Sequence, residues 1–76
     1  MYIEIIGLTN YDYLDLCAIL GNGWGKIVHN HDDLIDVSVN TELVELKINN
    51  DEKIWLYKGS KIADIEKDHF ARIEIM

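Results

Sequence analysis

The run His29-Asn30-His31-Asp32-Asp33 concentrates the groups in this 76-residue chain whose types and spacing could do chemistry. Imidazoles and carboxylates are metal ligands, and three of them converging with one position left open would make a zinc-type site. His29 and His31 are two apart, which puts both on one face if they lie in a strand. The chain has only His69 as a further imidazole, and it is remote in sequence. Spacing by itself therefore assigns no metal ligand here, and the stretch reads as a polar hairpin loop.

Three acid pairs, Asp12 with Asp15, Asp32 with Asp33, and Asp64 with Glu66, are the other candidates for reaction chemistry. Two carboxylates divide acid and base roles only when their surroundings push their pKa values apart. A domain of this size offers little cleft in which that could happen, so these read as solvated side chains. "GNGWG" (Gly21 to Gly25) lacks the lysine and hydroxyl of a phosphate loop and the following helix of a dinucleotide fingerprint, and reads as a turn. Cys17 lies in the apolar run "LCAIL" with no histidine near it, the setting of a small buried hydrophobe. The expectation is a non-enzyme with no catalytic residue, no metal and no cofactor.

Charge is the strongest compositional signal. The formal net charge is −7 at 49% hydrophobic content. Residues 1–52 carry ten acids against Lys26 and Lys47, whereas residues 53–76 carry four acids and five bases. A surface this negative repels phosphate backbones, since nucleic-acid affinity comes largely from Lys and Arg displacing counterions. Direct nucleic-acid binding is disfavoured, and a protein partner with a basic surface is the complement. One cysteine cannot form an internal bridge, and the amino terminus shows no basic flank followed by an apolar run and a cleavage site. No run approaches a membrane-spanning length. Cytoplasmic location and no membrane association are the expectations.

The elements that must position these groups are short. No proline, repeat or low-complexity tract divides the chain, so residues 1–76 read as one small domain with a radius of gyration of roughly 11 Å. Turn signals recur about every ten residues, which is the mark of an all-β barrel or sandwich. The runs between them are Tyr2–Leu8, Trp24–His29, Leu34–Val39, Glu42–Ile48, Lys53–Lys58 and Phe70–Ile75. Ile35, Val37 and Val39 alternate with Leu34, Asp36 and Ser38; Val44, Leu46 and Ile48 alternate with Glu45 and Lys47; Ala71, Ile73 and Ile75 alternate with Arg72 and Glu74. The first-named set of each goes inside. Residues 10–20 have two readings. A Thr9 or Asn10 cap, Asp12 in the first turn, apolar Tyr13, Leu16, Cys17 and Leu20, and a following glycine spell a helix; "CAILGNGWGKIV" can also be the first hairpin of a small barrel. The expected fold is thus mainly β, a five- to six-stranded antiparallel barrel, or α+β with one short helix near residues 10–20.

"GNGWGKIVHNHDDLIDVSV", through Gly23, Gly25, Ile27, Val28, Val37 and Val39, resembles the opening of KOW-type and other Src-homology-3-like barrels. In those, a Gly-x-Gly-x-Ile-Val run leads through a loop into a Val-x-Val strand. The resemblance covers about a third of the chain and implies a small barrel. The acidic charge departs from the nucleic-acid-binding members, so their ligand is not carried over.

The aromatics remain. In "DEKIWLYKGSK" (Asp51 to Lys61) a strand would send Ile54 and Leu56 inward and Trp55 and Tyr57 outward. Exposed large rings are enriched at interface hot spots. Trp24 either closes the open end of a barrel as core or joins them. The expected partner-binding set is Trp55, Tyr57 and Trp24, bordered by Asp36, Glu42 and Glu45. The resulting function is a non-catalytic acidic interaction protein, an inhibitor or adaptor that occupies the basic, nucleic-acid-binding surface of its partner. Phage-encoded antagonists of host defence and immunity proteins for toxins are similar in type. Two alternatives stand beside it: a nucleic-acid-binding barrel in which Trp24, Trp55 and Tyr57 stack bases and Lys53, Lys58, Lys61 and Lys67 follow the backbone, and a homo-oligomeric subunit whose Trp55 face meets its own copy.

Overall fold

The computed structural model describes all 76 residues and is mainly β. Its elements are β1 (Ile3–Thr9), α1 (Asn10–Leu20), β2 (Gly25–His31), β3 (Leu34–Val39), β4 (Glu45–Ile48), β5 (Ile54–Lys58), β6 (Lys61–Ile65) and β7 (Arg72–Ile75), with single 3-10 turns at Asn22–Trp24 and Lys67–His69. All strand pairing is antiparallel. One sheet runs in the order β2-β3-β1-β7 and the other in the order β4-β5-β6. The radius of gyration is 11.1 Å.

Residues 10–20 form the helix because local signals agree there. The Thr9 hydroxyl accepts the Asp12 N–H at 3.2 Å, which satisfies one of the free donors of the first turn. At the other end Gly21 leaves helical geometry at φ +90°, and Lys58 Nζ donates to the Leu20 carbonyl at 2.8 Å. A cation on the terminal carbonyls is favoured by the helix dipole, and this one also ties the helix to the second sheet. Leu16 and Leu20 are buried, and Tyr13 and Cys17 pack against the core beside them.

Alternation places the core. Ile3, Ile5, Leu8, Ile35, Val37 and Val39 come from the first sheet, Val44, Ile54, Leu56, Ala63 and Ile65 from the second sheet and its approach, and Leu16, Leu20 and Trp24 from the helix and the turn after it. On the two edge strands the inward expectation holds less well: Ile48 is 51% exposed and Ile75 61%. An edge strand has a neighbour on one side only, so its end residues are left partly uncovered.

The antiparallel, mainly β expectation with one short helix holds, and the strands form two separate sheets with no ladder between them. Two expectations need correction. The run expected at Glu42–Ile48 is a strand only from Glu45, because Thr41–Leu43 form a turn in which Asn40 accepts the Leu43 and Val44 N–H groups. β6 was not anticipated: Ala63 and the charged Lys61 and Asp64 dilute its apolar pattern. Its hairpin is set by the two-residue turn Gly59-Ser60 between paired Lys58 and Lys61, with Gly59 at φ +60°, a conformation tight hairpins require.

Candidate functional site

The register of the three-stranded sheet decides which side chains share a face. Leu46 pairs with Leu56 and Leu56 with Ala63, all toward the core. Tyr57 pairs with Glu45 and Ile62, and Trp55 with Lys47 and Asp64, all on the opposite side. Ile54 and Leu56 are fully buried, whereas Trp55 and Tyr57 are half-buried and Ile62 is 53% exposed. α1 packs against β6, and its buried Leu16 and Leu20 belong to the same core cluster as Ile54, Leu56, Ala63 and Ile65.

A lysine stands over each ring. Lys53 Nζ stands 5.6 Å from the Trp55 centroid and Lys47 Nζ 5.4 Å from that of Tyr57, both at cation–π distance. Lys53 is held there by Glu66 at 3.0 Å and Asp64 at 3.1 Å, which raise its pKa above the ordinary lysine value. Lys47 is 3.5 Å from Glu45. The lysines are thus internally neutralised, and the face ends in a hollow where Asp51, Glu52, Glu66 and Asp68 meet Lys53 and Lys67. Tyr57 borders a second hollow with Glu42, Glu45, Leu43 and Met1.

A different arrangement occupies the outer side of the four-stranded sheet. Both neighbours of β3 bulge at Asp36: Ile6 and Gly7 stand opposite it on β1, and Val28 is the extra residue on β2. Gly7 adopts φ +70°, which glycine takes without a Cβ penalty, and its N–H donates to Asp36 Oδ1 at 3.0 Å. His31 Nε2 lies 3.0 Å and His29 Nδ1 3.2 Å from Asp36 Oδ2. Glu4, one row along on β1, puts Oε1 3.7 Å from the same His29 nitrogen, and its other oxygen accepts the Tyr2 hydroxyl at 2.7 Å. That hydrogen bond is the main reason the Tyr2 pKa is raised.

Burial pushes the Asp36 carboxyl up, but the His31 hydrogen bond, the Gly7 N–H and the charges of both imidazoles outweigh it, and its pKa lies below the ordinary value. A carboxyl lowered on folding contributes stability that is present above its unfolded value, about 3.9, and lost as pH falls through the lower folded value. Urea midpoints through the acid range should therefore fall more steeply for the native chain than for Asp36→Asn, which keeps the Gly7 contact but does not titrate.

The expected partner-binding set divides. Trp55, Tyr57, Glu42 and Glu45 come together on or beside the outer face of the second sheet. Trp24 does not join them: it is wholly buried in the core, 5.6 Å from the Tyr13 ring centroid. Asp36 also lies apart from them: it belongs to the other sheet, is 7% exposed, and meets two histidines and a backbone amide. Ile62 and Lys47 were missed, the first because β6 was missed, and Lys53, expected only in the nucleic-acid alternative, lies over Trp55. β2 runs past the expected end of the run Trp24–His29 to include His31, and only Asp32 and Asp33 form the turn, Asp32 at φ +66°. His69 is elsewhere, 2.8 Å from Asp12 at the start of α1. No helix is long and apolar enough to cross a membrane. No protein-family model matches this chain, and no match was found among curated proteins or solved structures.

Proposed function

We propose that this protein is a non-catalytic interaction module that docks through the outer side of β4-β5-β6 onto a basic surface of another protein, as an inhibitor or adaptor of the phage anti-defence or immunity type. The observation that carries it is the one-sidedness of β5, with Ile54 and Leu56 sealed in the core while Trp55 and Tyr57 stay partly exposed on the other side, each with a lysine at cation–π distance. Displacing a lysine from each ring bares two flat apolar surfaces and frees carboxylates for partner cations. Asp51, Glu52 and Asp68 already have no ion-pair partner, which supports charge complementarity with Lys and Arg. The same reading takes the two sheets as halves of an open small barrel and the free thiol of Cys17 as belonging to a cytoplasmic protein.

The nucleic-acid alternative draws less support. Of its four backbone-tracking lysines, Lys53 is held by two acids and Lys58 by a helix carbonyl, and Trp24 cannot stack on a base from inside the core. Capture of partners on the immobilised chain, repeated with Trp55→Ala/Tyr57→Ala and at raised salt, tests the proposal. A partner with a basic surface, lost in both repeats, agrees with it. Retention of oligonucleotides at low salt in a filter assay, or a dimer by light scattering whose formation needs Trp55, points instead to one of the alternatives.

A further inference from the structure

Glu4 and Asp36 present an unusual electrostatic problem. Their side chains are 9% and 10% exposed, they lie on one sheet face, and neither is paired with a lysine or arginine. Two nearly buried carboxylates with no permanent cation beside them are unfavourable unless something positive is supplied. Each has one oxygen fixed by the chain, Glu4 Oε2 by the Tyr2 hydroxyl and Asp36 Oδ1 by the Gly7 amide. The remaining oxygens, Glu4 Oε1 and Asp36 Oδ2, converge on His29 Nδ1, and these three atoms all lie within 4.8 Å of one another. Glu4 Oε1 accepts no hydrogen bond from the chain and stays reachable from solvent, free to take a ligand.

That is the layout of ligands with their outer shell in place. Zinc bonds of about 2.0–2.1 Å in a tetrahedron put ligand atoms roughly 3.3 Å apart. The spacings here are 3.7 Å from His29 Nδ1 to Glu4 Oε1 and 3.2 Å to Asp36 Oδ2, with His31 Nε2 3.0 Å beyond that oxygen. Hydrogen bonds to the non-ligating oxygens orient a carboxylate and are a regular companion of metal sites. The two histidines are more than half exposed, so an ion can enter from solvent without unfolding the sheet. The double bulge that frames Asp36 brings the cluster together, since it sets β1, β2 and β3 around one carboxylate.

We propose that Glu4, His29 and Asp36 bind a divalent transition-metal ion of the zinc type, with His31 beside the open fourth position. Titration of the full chain with zinc chloride near neutral pH, followed by calorimetry, should show saturable uptake of one ion per chain. His29→Gln, at an exposed position that the core does not need, should weaken uptake by roughly tenfold or more, and Glu4→Gln should do likewise. His69→Gln should bind as the native chain does. Nitrogen NMR of the imidazoles should move the His29 Nδ1 signal and leave His69 in place, while circular dichroism confirms that the variants are folded. Absence of saturable uptake, or equal uptake by folded His29→Gln and His69→Gln, would overturn the site and leave a hydrogen-bonded cluster only; neither result bears on the aromatic face of the other sheet.

Discussion

Trp24→Ala should remove about 3–5 kcal/mol of folding stability, the range for truncating a fully buried large aromatic. The indole has no exposed surface and packs against Tyr13 at a tilt of 44°. It also sits at the junction where the helix end, the following turn and β2 meet, so the vacated space cannot collapse without moving one of them. Small domains hold about 5–15 kcal/mol in all, and at the lower end of that range the variant would be substantially unfolded at room temperature. Trp24→Phe separates packing from hydrogen bonding. The Trp24 indole N–H is buried without a partner, and an unmade hydrogen bond of this kind is worth about 1–3 kcal/mol against the folded state. Phenylalanine keeps most of the apolar contact and removes the orphan donor, so its loss should be far smaller than that of alanine. Urea unfolding of the three chains checks the order; equal losses for alanine and phenylalanine would show that the indole is not packed as described.

The second large effect concerns binding rather than folding. Trp55→Ala/Tyr57→Ala should weaken a captured complex by about 2–4 kcal/mol, roughly 30- to 700-fold in Kd, as expected for central hot-spot rings. The same variant should stay folded, because neither ring is sealed in the core and the strand that carries them is held by Ile54 and Leu56 from the other side. Calorimetry with the partner and urea unfolding of the free chain measure the two quantities independently. Raised salt should act on the native complex in the same direction, mainly by slowing association, since exposed charges are screened within about 10 Å at 0.1 M salt. A double variant that binds undiminished would remove this face from the contact.

Local signals in the sequence carried much of this fold. Leu34–Val39 is a strand with the expected bounds, and the cap and glycine around residues 10–20 resolve into a helix because Thr9 and Gly21 do what those residue types do at helix ends. The two faces of β5 followed from alternation alone. What was not legible depends on partners distant in sequence. Whether two sheets join into a barrel is decided by ladders between remote strands. Alternation placed Asp36 on the outer side correctly, yet its burial comes from bulges in β1 and β2 and from side chains of Glu4, His29 and His31 gathered around it. The carboxylates that complete the cluster lie 25 residues before and 7 after His29, which no short motif spans. Trp24 had two readings because a tryptophan after a glycine turn can point either way until the helix is placed over it.

Acrylamide quenching of two single-tryptophan chains tests the central claim most directly. Trp24→Phe leaves Trp55 as the reporter, and Trp55→Phe leaves Trp24. The expected result is ready quenching of Trp55 in the free protein, its protection once a partner is bound, and almost no quenching of Trp24 in either state. A Trp55 as shielded in the free chain as Trp24 would contradict it, for then the outer side of β5 would offer nothing to a partner.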